Sequence, residues 1–356
     1  MALTDEMRDF VNRIRGRLMR DPDPARYLAR RLEREEFFPD GYYTETTRTA
    51  AGVFEERSGN CLSYTNLFIA LARYAGLDAR FQFARVPANW SSQAGFLVRS
   101  RHISARVIES DLLGERAVTV DFNQVQNVGL FPHRLVKDDF ALSSFYSNLA
   151  VDSLYAQRLR EALRLLALAN EVAPENPDPW VNAAVVWSSA GNVRKAHSAL
   201  AGALTVDPTN ESALSGLARI FEARGDQERA DWYRQTIQRN RDADPYYQFA
   251  RARAAFDKNE LNDSKTYITR AITLRGSIGH FHYLAGIVHY RLGDYDAART
   301  ALEAAHTVRS PVSSAKREHT LRLLADLGPL PVDNEMCTDA NPGCSSRLPP
   351  GGLPPN

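Results

Sequence analysis

The chain has 356 residues, with 44 basic and 43 acidic side chains and a formal charge of +1. That balance carries no overall electrostatic footprint for nucleic acid, and no run approaches the roughly 20 apolar residues of a membrane span. At roughly 150 residues per domain, the length predicts two domains.

The chain starts MALTDEMRDFVNRIRGRLMR, without the apolar core of a secretory signal. A protein already stripped of its signal would read the same way, so the compartment stays open. Residues 4–20 and 23–37 carry a helical pattern, with Asp21-Pro22 and Asp23-Pro24 as breaks. Leu62, Leu67, Phe68, Leu71 and Ala72 form the next helical stripe, which Gly76 ends as a C′ residue. Cys61 opens this helix, Ser58 is the expected N-terminal cap, and Gly59 and Asn60 allow a sharp turn into it. Residues 79–86 alternate and are aromatic, hence a strand, and PANWSSQAGF reads as a loop. Residues 102–110 and 116–125 read as two further strands, with Gly114 at the turn between them. Helices first and antiparallel strands after make an α+β domain.

Three reactive side chains fall on these elements in order. Cys61 stands at a helix start, His102 opens a strand and Asp121 lies in or near the end of the next. Adjacent strands of a hairpin set a histidine and an aspartate side by side, and a helix packed on the sheet brings its first residue to the ring. Nucleophilic thiol catalysis needs this arrangement. A helix N-terminus and an imidazolium lower a thiol pKa, a carboxylate orients the ring, and amides at the helix start supply part of an oxyanion hole. Each residue also has a plain structural reading: a buried thiol, a satisfied strand histidine, a strand-end cap. The other histidines (His133, His197, His280, His282, His289, His306 and His319) lie in the linker, the repeats or the cap and compete poorly. No HExxH, paired-cysteine zinc pattern or phosphate loop occurs, so neither metal nor cofactor is expected.

The second half repeats. Ala162, Ala196, Ala230, Ser264 and Ala298 stand 34 residues apart. Ala169, Ala203, Ile237, Ala271 and Ala305 keep the step, as do Ala150, Ala184, Ala218, Ala252 and Gly286. Gly191, Gly225, Asn259 and Gly293 mark one turn per unit, and Pro174 and Pro208 end the first two. Small residues at fixed positions let antiparallel helices approach closely. The period resembles the tetratricopeptide repeat, in five units over about 142–311. Such units stack into a superhelix whose concave face binds a peptide or protein partner; the alternative is that the array only braces the first domain. Residues 312–330 read as a capping helix, and 331–356, rich in Pro, Gly and Ser, as a disordered tail. In that tail Cys337 and Cys344 either pair across a short loop or stay as two solvated thiols.

The stretch TRTAAGVFEERSGNCLSYTNLFIALARYAGLDARF, then RHISARV, then AVTVDFN, resembles the bacterial transglutaminase-like superfamily, a papain-type thiol fold. The resemblance covers about 44–123 and implies a thiol domain over 1–140 with Cys61, His102 and Asp121 as catalytic residues. Such domains place an oxyanion donor or substrate contact upstream of the thiol, where Tyr43 and Arg48 lie, although Arg48 also suits a surface or capping role. Trp90 either overhangs the sulfur, shapes an acyl channel or anchors its loop, and Asn60 bonds either to its loop or to substrate. The expected activity is acyl transfer or hydrolysis at a peptide or carboxamide bond through a Cys61 thioester, as in a cysteine protease, amidase or transamidase. The alternative is a non-catalytic scaffold that uses the repeats. The combination with repeats resembles bacterial envelope lipoproteins. It implies the periplasm or envelope, with the cytoplasm as alternative, although the lipoprotein signal and its cysteine do not occur in this sequence.

Overall fold

The computed structural model describes residues 2–37, 46–84, 90–93, 96–99, 102–111, 114–122, 131–308, 318–320 and 322–323. They fall into two compact units, 1–254 and 255–356.

The first unit opens with α1 (Asp5–Leu18) and α2 (Pro24–Arg34), capped by Thr4 and Asp23. A short α3 (Ala50–Glu56) follows, and then α4 (Cys61–Ala75). Gly76 stops α4 at φ 99°, a left-handed conformation that glycine adopts without a Cβ clash. The sheet comprises β1 (Asp78–Ala84), β4 (His102–Asp111), β5 (Gly114–Val120) and β6 (His133–Val136), in the order β5-β4-β1-β6 and antiparallel throughout. β2 (Trp90–Gln93) and β3 (Phe96–Arg99) form a separate hairpin.

That hairpin occupies the stretch read as a loop, and β6 lies in what the sequence offered only as a linker. Both are held by pairing with partners along the chain or across the sheet. A four-residue strand shows too little alternation to be read by period.

Helix α4 is the centre of the first core. Leu67, Phe68, Ile69 and Leu71 are fully buried. They share one cluster with Phe10, Val11 and Ile14 of α1, Leu28 and Leu32 of α2, and Phe81, Ile103, Ala105, Val107, Val118 and Val120 of the sheet. Alternation along each strand puts these apolar residues on one sheet face. The other face carries Gln82, Ser104, Arg106 and Thr119, joined by hydrogen bonds from Gln82 Nε2 to Ser104 Oγ (3.4 Å) and Thr119 Oγ1 (3.3 Å).

Helix pairs follow: α5 (Asp138–Tyr155) with α6 (Leu159–Val172), α7 (Asp178–Ser189) with α8 (Val193–Val206), and α9 (Glu211–Ala223) with α10 (Gln227–Asp242). Helix α11 (Pro245–Asp257) runs through the boundary between the units, and α12 (Leu261–Leu274), α13 (Gly279–Arg291) and α14 (Tyr295–Thr307) lie in the second. The second helices of the pairs begin at 159, 193, 227, 261 and 295, which keeps the 34-residue period. Each turn before them holds one left-handed residue: Gln157, Gly191, Gly225, Asn259 or Gly293. Gln157 continues the series one unit earlier than the glycines reveal it. The small residues are buried as expected, among them Ala162, Ala196, Ala230, Ser264 and Ala298. A Cβ on Gly286 would stand 2.6 Å from Leu302 Cγ, so that close approach requires glycine.

Contacts between α4, the sheet and α5 tie the first core to the first repeat. Arg73 of α4 forms a bidentate ion pair with Asp138 of α5, and Phe83 of β1 packs edge-on against Phe140. Of the capping helix expected at 312–330, residues 318–320 and 322–323 are described, and they are helical. The tail from Pro331, with Cys337 and Cys344, lies outside the described residues.

Candidate active site

The entry to α4 is built by hydrogen bonds around Asn60. Asn60 is extended, and its Oδ1 accepts from the Ser63 amide (3.0 Å) and the Ser63 hydroxyl (2.8 Å). Its Nδ2 donates to Thr47 Oγ1 at 2.6 Å. The N-terminal cap is therefore Asn60 and not Ser58, because α4 begins at Cys61 and only Asn60 reaches the third amide. Ser58 is buried and accepts from Arg48 Nε at 3.0 Å. Arg48 also donates its amide to Ser63 Oγ (2.8 Å) and pairs with Glu56 (2.8 Å), so it braces the approach to the helix. A Cβ on Gly59 would stand 2.8 Å from Ser63 Cβ and 3.1 Å from Val53 Cγ2, which explains glycine at that position.

These contacts set Cys61 as the first residue of α4. It is a free thiol, half-buried against the core. Burial pushes its pKa up to about 11. Hydrogen bonds from the Leu62 and Cys61 amides pull it down, and the Asp121 charge pushes it further up. The expected lowering is thus reversed. Desolvation of a thiolate outweighs what two helix-start amides return.

His102 and Asp121 come from neighbouring strands. Ala105 stands opposite Val120, so Ser104 would face Asp121, with His102 two residues further along the same face. Asp121 follows directly on β5, and its Oδ2 lies 2.7 Å from His102 Nε2. The ring is buried, and its Nδ1 has no hydrogen-bond partner. Phe122, next to Asp121, packs on Tyr64 and Phe68 of α4, with ring centroids 6.4 and 5.6 Å apart. This contact places the start of α4 at the end of the sheet that carries His102 and Asp121.

The remaining sequence candidates divide. Asn60 and Arg48 are joined to the helix entry by the hydrogen bonds above. The Trp90 backbone pairs with Arg99 in the β2–β3 hairpin, and its side chain lies outside the described residues. Tyr43 lies outside them as well.

A further histidine shares this face of the sheet. His133 opens β6 opposite Ala84, and Ala84 stands opposite His102 on its other side. The two imidazoles therefore share one row across the sheet, separated by a small residue. Chain order gave no sign of this, because β6 pairs with β1 across a separation of about fifty residues. Among the described residues, no group of three His, Cys, Asp or Glu side chains is placed to hold a metal ion, and no helix is long and apolar enough to cross a membrane.

A helix that opens on a thiol, packed on an antiparallel sheet that carries a His–Asp pair, is followed by 34-residue helix pairs. Residues 8–127 match the sequence profile of the transglutaminase-like superfamily, and 188–247 and 249–313 match that of the tetratricopeptide repeat. The chain carries a transglutaminase-like domain followed by tetratricopeptide repeats. No curated protein matches it. Among solved structures it is similar to MamA from Desulfovibrio magneticus RS-1, with 17% identity over 50% of this chain and 99% of that one and a TM-score of 0.26. YrrB, described as a tetratricopeptide-repeat protein with an unusual peptide-binding site, gives 16% identity over 51% and 92% of the two chains, with a TM-score of 0.26. PilF of Pseudomonas aeruginosa gives 16% over 54% and 91%, with a TM-score of 0.28. Scores this low say nothing about ligand or partner.

Proposed function

We propose that the protein transfers or hydrolyses an acyl group through a thioester on Cys61, with 1–140 as the thiol domain and the repeats over 142–311 holding a protein or peptide partner. The observation that carries this reading is the His102 ring. Asp121 occupies Nε2 at 2.7 Å, and Nδ1 is buried without a partner. Nδ1 is then the nitrogen that receives the thiol proton as Sγ attacks a carboxamide or peptide carbonyl. Cys61 starts the reaction as a neutral thiol, so His102 acts as a general base and not as half of a standing ion pair. The Cys61 and Leu62 amides stabilise the oxyanion. Collapse of the tetrahedral intermediate breaks the C–N bond, and the amine leaves with the proton held on Nδ1. Water or a second amine then attacks the thioester, returns its proton through His102 and frees the thiol. Asp121 holds the ring and offsets its charge.

A second reading has an observation of its own. A thiol with a pKa near 11 suits an inert cysteine in a partner-binding scaffold. Iodoacetamide labelling of Cys61, followed by mass spectrometry between pH 6 and 11, separates the two. The catalytic reading expects labelling at pH 7 to be about a hundredfold faster in the wild type than in His102→Ala. Equal, slow rates that rise only towards pH 11 favour the scaffold.

A further inference from the structure

The chain leaving β5 addresses both faces of the sheet within two residues. Val118 and Val120 lie in the first core, and Thr119 between them belongs to the polar face. The same alternation carries on past the strand. Asp121 follows the Thr119 side and meets His102 Nε2 at 2.7 Å, while Phe122 follows the valine side. The Phe122 ring packs against the core on Tyr64 and Phe68 of α4, with centroids 6.4 and 5.6 Å apart. The β4–β5 ladder ends at the pair of Ala105 and Val120, one residue short of Asp121. Asp121 thus stands between the last rung of the sheet and a ring that grips the helix.

The choice of helix residues matters. Tyr64 and Phe68 stand three and seven positions after Cys61, the spacing that puts residues on one helix face. Phe122 therefore sits on the face of α4 that opens on the thiol. Resting on the thiol reading above, we propose that Phe122 is a positioning residue for the reaction. Its ring keeps the Asp121 carboxylate on His102 Nε2 and aligns the His–Asp pair with the thiol face of α4. It acts through Asp121 and not on the reacting atoms. A misplacement of about 1 Å in such a geometry costs on the order of a hundredfold in rate, so loss of the ring is felt at Cys61 as loss of its base.

Iodoacetamide labelling of Cys61 in the full chain, read by mass spectrometry at pH 7, tests this. The quantity measured is the rate in each variant divided by the rate in the same variant with His102→Ala added. That ratio isolates the contribution of the base, because a change in exposure of the sulfur alters both rates alike. In the wild type it is about a hundred on the catalytic reading. In Phe122→Ala it should fall below about ten, and Phe122→Leu, which refills part of the core without a ring, should lie between. Urea denaturation shows which variants are folded; if Phe122→Ala is not, Phe122→Leu carries the test. In an Asp121→Ala background the same Phe122 substitution should lower the ratio no further, since the two residues act as one unit. A wild-type ratio in the smallest folded Phe122 variant, or an equal loss with and without Asp121, overturns the positioning role alone. A ratio near one in the wild type overturns the catalytic reading beneath it.

Discussion

Cys61, the nucleophile of the proposed reaction, also carries a pH liability. Its pKa rises from an unfolded value of roughly 8.5 to about 11 in the folded protein. Above the unfolded value the unfolded chain releases a proton that the folded one retains, so stability is present below about pH 9 and is lost as pH climbs towards 11. Urea unfolding at pH 8 and pH 10.5 should show a larger fall in midpoint for wild type than for Cys61→Ser, whose hydroxyl does not titrate there. An equal fall in both would mean that the thiol is not desolvated. At this scale the sequence was half legible. Residue types and chain order pointed to Cys61, His102 and Asp121. The ionisation state of the thiol depends on how much protein surrounds the sulfur, and no local pattern records that. The place of His133 in one row with His102 was hidden for the same kind of reason, since its neighbours come from strands remote in the chain.

The start of α4 shows how an element aims a side chain. Asn60 joins the Ser63 amide, the Ser63 hydroxyl and Thr47, while Arg48 anchors Ser63 and Ser58 from the preceding segment. Asn60→Ala removes the cap and strands the Thr47 contact. It should cost about 1–2 kcal/mol by urea denaturation and slow the His102-dependent labelling of Cys61, because the first turn loses its direction. A variant with full stability and full labelling would remove Asn60 from this role. The helix itself was plain from its apolar stripe and from Gly76. Its cap was misplaced by two residues because Ser58 and Asn60 both suit a helix entry, and only the start of α4 at Cys61, which brings Asn60 Oδ1 to the Ser63 amide, selects between them. The short strands β2, β3 and β6 escaped notice because ladder pairing with distant residues, not propensity, holds them.

Across the whole molecule, each of the two compact units has its own packing. Gly286→Val in the second unit would drive a side chain into Leu302, where even a Cβ stands 2.6 Å from Cγ. It should cost about 1–3 kcal/mol and lower the urea midpoint of α12–α14, followed by helical circular dichroism. Cys61 labelling, which reports the first unit, should keep its wild-type rate at low urea. Loss of both together would show that the units unfold as one. The repeat array was the most legible feature of the chain. A 34-residue period needs only neighbours in sequence: small residues where two helices touch and a left-handed residue at each turn, and even Gln157 obeys that phase. The sequence by itself determined the repeats, the helices of the first half and the three reactive residue types, since each follows from local periodicity, capping or chemistry. The tertiary structure decided that Asp121 takes Nε2 of His102 and leaves Nδ1 over, that burial raises the Cys61 pKa, and that His133 falls in one row across the sheet with His102. Strand register and desolvation act between residues far apart in the chain, so only the folded arrangement expresses them.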